Sequence, residues 1–236
     1  MKRALKQHVE SLAQMGVTHV PRSKIKPRAK VSSQPAVHEP GEPRSADPEN
    51  LMAEIVKEAR ACRACPLYKD ATQAVVFDGT PRARLVFVGE APGFEEDKQG
   101  VPFVGAAGQL LTKMIQAMGM QRSDVFICNV VKHRPPGNRT PEPDEAAACF
   151  PFLQRQLAIV QPKLICALGS VAAKALLGPG ISIMKIRGSV QQYAGIPLVP
   201  TFHPAYLLRN PSAKKLAWAD LQLVKRLIDQ PSDSSG

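Results

Sequence analysis

The chain has 236 residues, 44% hydrophobic and 22% charged, with a formal net charge of +11 and a sequence pI near 9.6. That is enough for one sizeable domain with a core of its own, and the basic balance suits a polyanionic partner, nucleic acid first, against the plainer reading of a basic protein with no such ligand. Five cysteines, two of them in the Cys62-x-x-Cys65 pair, argue against a secreted disulfide framework, and no run of 18 apolar residues offers a membrane span. The opening "MKRALKQHVESLAQMG" has no continuous apolar segment of the signal-peptide kind, so a cytoplasmic protein is expected.

In chain order, Leu5, Val9 and Leu12 fall at helical spacing and predict a short amphipathic helix. Positions 21–50 then carry six prolines and the basic cluster "PRSKIKPRAK" with little to bury, which predicts a flexible linker. Residues 1–50 hold nine Lys/Arg against five Asp/Glu, so the remainder keeps a net +7 and is basic in its own right. The expected organisation is a helix and linker over 1–50, a folded domain over 51–230 and a short tail over 231–236.

From position 51 helices and strands alternate. "LMAEIVKEARAC" predicts a helix, "RLVFVG" (84–89) a buried strand, "AGQLLTKMIQAMG" (107–119) a helix and "VFICNVV" (125–131) a second strand. "PDEAAACFPFLQRQLAIV" begins with proline and two acids, as a helix N-terminus favours. "KLICALG" (163–169) predicts a third strand, "SVAAKALLG" a helix, "IPLVPTFHP" a fourth strand and 212–229 the last helix. This alternation predicts a parallel sheet with helices on both faces, whose ligands bind beyond the carboxyl ends of the strands. Three polar segments stand at those ends: "GEAPG", "NVVKHRPPGNR" and "HPAYLLR". Neither G-x-G-x-x-G nor a Walker A loop occurs.

An asparagine, Asn129, closes the second strand, and a histidine, His133, follows it at a ligand-like distance from Cys149. Taken alone, Asn129 could tie a loop to the strand end, Phe103 could be core, and His203 could be a loop histidine beside proline. The acidic run Glu95, Glu96 and Asp97 reads as a solvated face. Cys166 reads as a core thiol, and Cys128 points away from Asn129 by strand alternation.

Together, "GEAPGFEED", "PFVGAAGQLL", "NVVKHRPPGNRTPEPDEAAAC" and "HPAYLLR" resemble, in order and spacing, the family 4 uracil-DNA glycosylases, the iron–sulfur class of uracil-excising repair enzymes. The resemblance runs from about position 51 to about 226. It implies a three-layer α/β/α domain with a short parallel central sheet, and hydrolysis of the N-glycosidic bond of uracil flipped out of single- or double-stranded DNA. It assigns Asn129, with Phe103 and Ala91, to the uracil, and His203 to the charge that develops on uracil O2. Glu90 is the carboxylate expected to position water, although the better-known uracil glycosylases place an aspartate at the next position, where this chain has Ala91. Leu207 and Leu208 are expected as the wedge that fills the emptied stack and Arg209 as a phosphate contact, and Gly105 and Gly108 together give a weaker signal for backbone approach to phosphate. Ala205 stands where the family usually has serine.

The resemblance also implies a [4Fe–4S] cluster on Cys62, Cys65, His133 and Cys149. His133 takes the place of the family's third cysteine, and a structural zinc on the same Cys3His set is the alternative. A related uracil-DNA-trapping family, family X, shares the Lys-His pair but carries an extra basic loop that the short "RPPGNRTPEP" lacks, so hydrolysis is expected rather than trapping. An iron–sulfur protein that works through a replication partner held by its N-terminal helix is a further alternative. A monomer associated with the nucleoid is expected.

Overall fold

The computed structural model describes residues 47–230. The helix expected over 5–15, most of the 21–50 linker and the 231–236 tail lie outside the described residues. Helix α1 (Pro48–Ala61) begins three residues before the expected boundary, because Pro48 opens its first turn. Next come β1 (Asp78–Gly79), β2 (Leu85–Gly89), α2 (Phe94–Gln99), α3 (Ala106–Ala117) and β3 (Phe126–Asn129). Beyond them are α4 (Pro143–Val160), β4 (Leu164–Leu168), α5 (Gly169–Leu177), α6 (Ile183–Ile186), β5 (Gln191–Tyr193), β6 (Ile196–Thr201), α7 (Pro204–Arg209) and α8 (Lys214–Asp229).

The strands form a six-stranded sheet in the order β1-β3-β2-β4-β6-β5. The four central strands are parallel, as expected, but both edges are antiparallel, so the sheet is mixed. Those edges escaped the sequence reading because β1 has two residues and β5, "QQY", has no apolar alternation.

Buried on both faces, the central strands send alternate residues into two cores. Val86, Val88, Phe126 and Ile165 meet Met52 and Ile55 of α1, Leu153 and Leu157 of α4, and Ala172 of α5. Phe87, Ile127, Cys166 and Val199 meet Leu111 and Ile115 of α3, and Leu221 and Val224 of α8. Each fully buried Leu, Ile or Phe contributes roughly 1.5–3 kcal/mol, which fixes register and so fixes what stands at each strand end. Cys166 is core, as expected. Cys128 enters the α1/α4 layer with Cys149, while Asn129 turns toward the α3 layer.

Candidate active site

The carboxyl ends of β2, β3, β4 and β6 open together into a cleft of about 630 Å³ whose lining includes Glu90, Ala91, Ser170, His203, Tyr206 and Arg209. A hollow of about 690 Å³ beside α1 is lined by Ala53, Val56, Lys57 and Phe77 among others, and none of the residues singled out from the sequence borders it. The candidate site is therefore the cleft at the strand ends.

Behind the cleft lies a closer cluster. Asn129 is 1% exposed, and its Oδ1 is the buried side-chain atom that lacks a hydrogen-bond partner among the described residues. An orphan acceptor in a dry site costs about 1–3 kcal/mol, a cost that a bound donor would remove. The Phe103 ring is its neighbour. A Cβ built on Gly89 would lie 2.4 Å from Asn129 Oδ1 and 2.4 Å from Phe103 Cζ, so only glycine at the end of β2 leaves both in place. The ring of His203 lies 5.5 Å from that of Phe103, tilted by 35°.

Phe103 has a positive φ of 56°, a conformation that needs support from outside the residue. Glu96 supplies it: its Oε1 accepts the N–H groups of Val104 and Gly105, both at 2.9 Å, and its Oε2 accepts that of Gly93 at 3.1 Å. Arg122 donates to the Pro102 carbonyl from the other side. The expectation that the acidic run is a solvated face is therefore wrong for two of its members. Glu96 and Asp97 are buried, and Asp97 accepts the N–H groups of Thr72 at 2.9 Å and Gln73 at 3.3 Å. A short helix hid this, because α2 is too brief to show a periodic face. Gly108 is also reassigned: a Cβ there would come within 1.9 Å of the Phe103 carbonyl, so it lets α3 pass under the loop. Gly105 stays at the surface of that loop, half-buried at the start of α3.

His203 sits just past β6 and caps α7, its Nδ1 accepting the Ala205 N–H at 3.1 Å. That bond leaves the proton of a neutral ring on Nε2, which makes Nε2 a donor. Burial, with the Arg209 guanidinium as a second cause, lowers its pKa to about 4, so the ring is neutral at physiological pH. Gly169, at φ +88°, keeps its place free, since a Cβ there would lie 2.9 Å from that of His203. Burial pushes the Glu90 carboxyl above the usual carboxylate range, with a hydrogen bond from Thr140 opposing it.

The two leucines of α7 part company. Leu207 is 1% exposed within the α3/α8 core, so the expectation that it joins the wedge does not hold. Leu208, next in the chain, is 42% exposed. Neighbouring positions on a helix point about 100° apart, and here the core beneath α7 takes Leu207 while Leu208 reaches the surface. Arg209 is exposed at the rim.

The cysteines lie on the other side of the sheet. Cys62 and Cys65 follow α1, and Cys149 is in α4, which packs against α1. The Lys132 N–H donates to Cys149 Sγ at 3.2 Å, and the Ala64 N–H to Cys62 Sγ at 3.5 Å. Burial raises the Cys149 thiol to about 11, with Cys65 and Cys62 adding to the rise, so the three thiols share one neighbourhood. His133 is buried one residue beyond Lys132, facing Arg63 and Asp97, and both burial and Arg63 lower its pKa. Lys132 is wholly buried too, donating through Nζ to the Asn129 carbonyl at 2.6 Å and to Gln156 Oε1 at 2.7 Å. In donor chemistry, three thiols and an imidazole fit an iron–sulfur cluster or zinc. No three His, Cys, Asp or Glu side chains among the described residues converge on a point where one metal ion could sit.

Residues 76–222 match the family model described as the uracil DNA glycosylase superfamily. The chain is 47% identical over 184 residues to the type-4 uracil-DNA glycosylase of Thermotoga maritima, covering 76% of this chain and 96% of that protein. It is 45% identical over 189 residues to the type-4 enzyme of Sulfurisphaera tokodaii, covering 76% and 86%. Its identity to that of Archaeoglobus fulgidus is 39% over 184 residues, covering 75% and 92%.

Proposed function

This chain belongs to the type-4 uracil-DNA glycosylases, and from that premise we propose how its own residues perform the excision of uracil from DNA. The observation that carries the reading is the unpaired Asn129 Oδ1, buried against the Phe103 ring with His203 close by. A flipped uracil stacks on Phe103, donates its N3–H to Asn129 Oδ1 and accepts from Asn129 Nδ2 at O4. Ala91 borders the base.

The bond from C1′ to N1 breaks with its electron pair going to the uracil ring, where charge gathers on O2. The neutral His203 donates its Nε2–H to that oxygen. A preset donor of this kind is worth about 2.7–4 kcal/mol of barrier. Glu90 faces the cationic sugar and takes the proton of the water that adds to C1′. Leu208 fills the vacated stack, and Arg209 and the Gly105 N–H hold flanking phosphates.

Cys62, Cys65, His133 and Cys149 would hold the cluster, which would clip the segment after α1 to the core as a structural group, outside the bond-breaking chemistry. A four-iron cluster gives each ligand its own iron, so it does not ask the four side chains to meet at one point as a single zinc does. Anaerobically purified protein should be brown, with about four irons and four sulfides per chain. His133→Cys should keep that content, His133→Ala should lower it, and Cys128→Ser should leave it unchanged. A colourless protein with one zinc would overturn the cluster, and bleaching by Cys128→Ser would reassign its ligand.

Residues 51–230 carry the reaction, as a monomer in the cytoplasm near the nucleoid. The first fifty residues add basic charge and offer a site for a replication partner. Among the described residues, no helix is long and apolar enough to cross a membrane.

Release of free uracil from a labelled oligonucleotide tests the function. Gly89→Ala is the companion variant: its methyl would overlap Asn129 and Phe103, and overpacking of this kind costs about 1–3 kcal/mol. It should lower kcat/KM roughly 5- to 150-fold, the equivalent of that cost, while circular dichroism reports a folded chain. Parental activity in this variant would remove the pocket.

A further inference from the structure

We propose that the groove between α3 and α8 is a second DNA subsite, in which Trp218 stacks a base of the strand flanking the flipped nucleotide. This rests on the glycosylase reading above and extends it away from the cleft. The groove encloses about 260 Å³, and its walls include Leu110, Lys113, Met114, Lys214 and Trp218, with the buried Leu207 among them. It is therefore joined to the cleft through α7, which gives Ala205, Tyr206 and Arg209 to one hollow and Leu207 to the other. At about 1.5 Å per residue the six residues of α7 span ~9 Å, roughly two to three nucleotides at ~3.4 Å each.

Charge selects the occupant. Helix α3 has no acidic residue, and Lys113 stands on its groove side. On α8 the acids are spoken for: Asp220 is buried against Arg187 and Thr201, and Asp229 pairs with Lys225 at 3.1 Å. Lys113, Lys214 and Lys215 thus face no free carboxylate on either helix, and Trp218 shares the groove with Lys113 and Lys214 and is exposed. Lysines flanking an accessible indole are what a single strand needs, phosphates on the ammonium groups and a base on the ring. The groove is smaller than the roughly 300–1,000 Å³ of ordinary small-molecule pockets, and shallow, as a stacking platform is.

Trp218 is the sole tryptophan of the chain, so its fluorescence reports on this groove alone. Titrating the wild-type protein with uracil-free single-stranded DNA, and with uracil-bearing strands shortened from either side, is the test. Saturable quenching is expected, reversed by salt and lost when one flank, but not the other, is removed. By anisotropy of end-labelled DNA, which needs no tryptophan, Trp218→Phe should bind like the parent, whereas Trp218→Ala should bind roughly 5- to 150-fold more weakly, the range for loss of one stacked base. Free uracil is assayed in the same samples. Uracil released without any change in fluorescence would overturn the subsite and leave the glycosylase standing, as it would if the groove served a protein partner. Equal affinity of the phenylalanine and alanine variants would overturn stacking. Quenching without uracil release would count against the glycosylase reading instead.

Discussion

His203→Ala should lower the single-turnover rate of uracil excision by about 10²–10³-fold, the effect of removing one preset donor from a developing oxyanion. The ring is placed for this by three features: Nδ1 is occupied by the Ala205 N–H, Gly169 gives it room, and Phe103 lies 5.5 Å away. Substrate affinity should change far less than the rate, because the charge on O2 exists only in the transition state. The pH dependence has a definite sign. Burial holds the imidazole pKa at about 4 against an ordinary 6.5, so the native ring stays neutral across the physiological range. An unfolded chain takes up the proton near pH 6.5 and the native one only near 4, so this group's contribution to stability is lost as the pH falls through that window. The excision rate should hold on acidification until Glu90, raised by its own burial, loses its charge. Glu90→Gln should be slow at all pH values and lack that acidic limb. An unchanged rate in His203→Ala would take the ring out of the reaction.

Asn129→Asp should collapse the discrimination between uracil and cytosine. A site built on buried hydrogen bonds rejects a mismatched partner by about 10⁴–10⁵-fold, because the mismatch strands polar groups without water. Uracil offers a donor at N3 and an acceptor at O4, which match Asn129 Oδ1 and Nδ2. Cytosine offers an acceptor at N3 and a donor at N4. A neutral aspartic acid presents that second pattern, its hydroxyl to N3 and its carbonyl to the amino group. Burial at this position, 1% exposed, favours the protonated acid over the carboxylate. The variant should therefore excise uracil poorly and gain measurable release of cytosine, and the gain should grow as the pH is lowered. Parental selectivity would mean that the base is read elsewhere.

The sequence carried a large part of this protein. Apolar runs of four to six residues, set between helical repeats, fixed four parallel strands and the two layers around them, since each run had to be buried on both faces. The ends of those runs marked three polar segments, because open parallel sheets meet ligands beyond their carboxyl ends, and the resemblance then singled out Glu90, Asn129 and His203 within them. The kinds of residue, amide, imidazole, carboxylate and thiol, were legible through that resemblance.

Contacts between segments far apart in the chain were not. That Gly89 must lack a side chain follows only from Asn129 and Phe103 meeting in front of it, forty positions after it and fourteen. Glu96 in an acidic run looks solvated until the loop of Phe103 folds over it and offers its N–H groups. Leu207 and Leu208 are equivalent in a string of letters, and the core beneath α7 chose between them. Nothing in the 212–229 repeat marks Trp218, and it was packing that left it beside Lys113 and Lys214 in an open groove. Period and composition report what each segment must bury, and they determined the layers. Which side chains face one another across a gap depends on the packing of those layers, and only the tertiary structure decided those meetings.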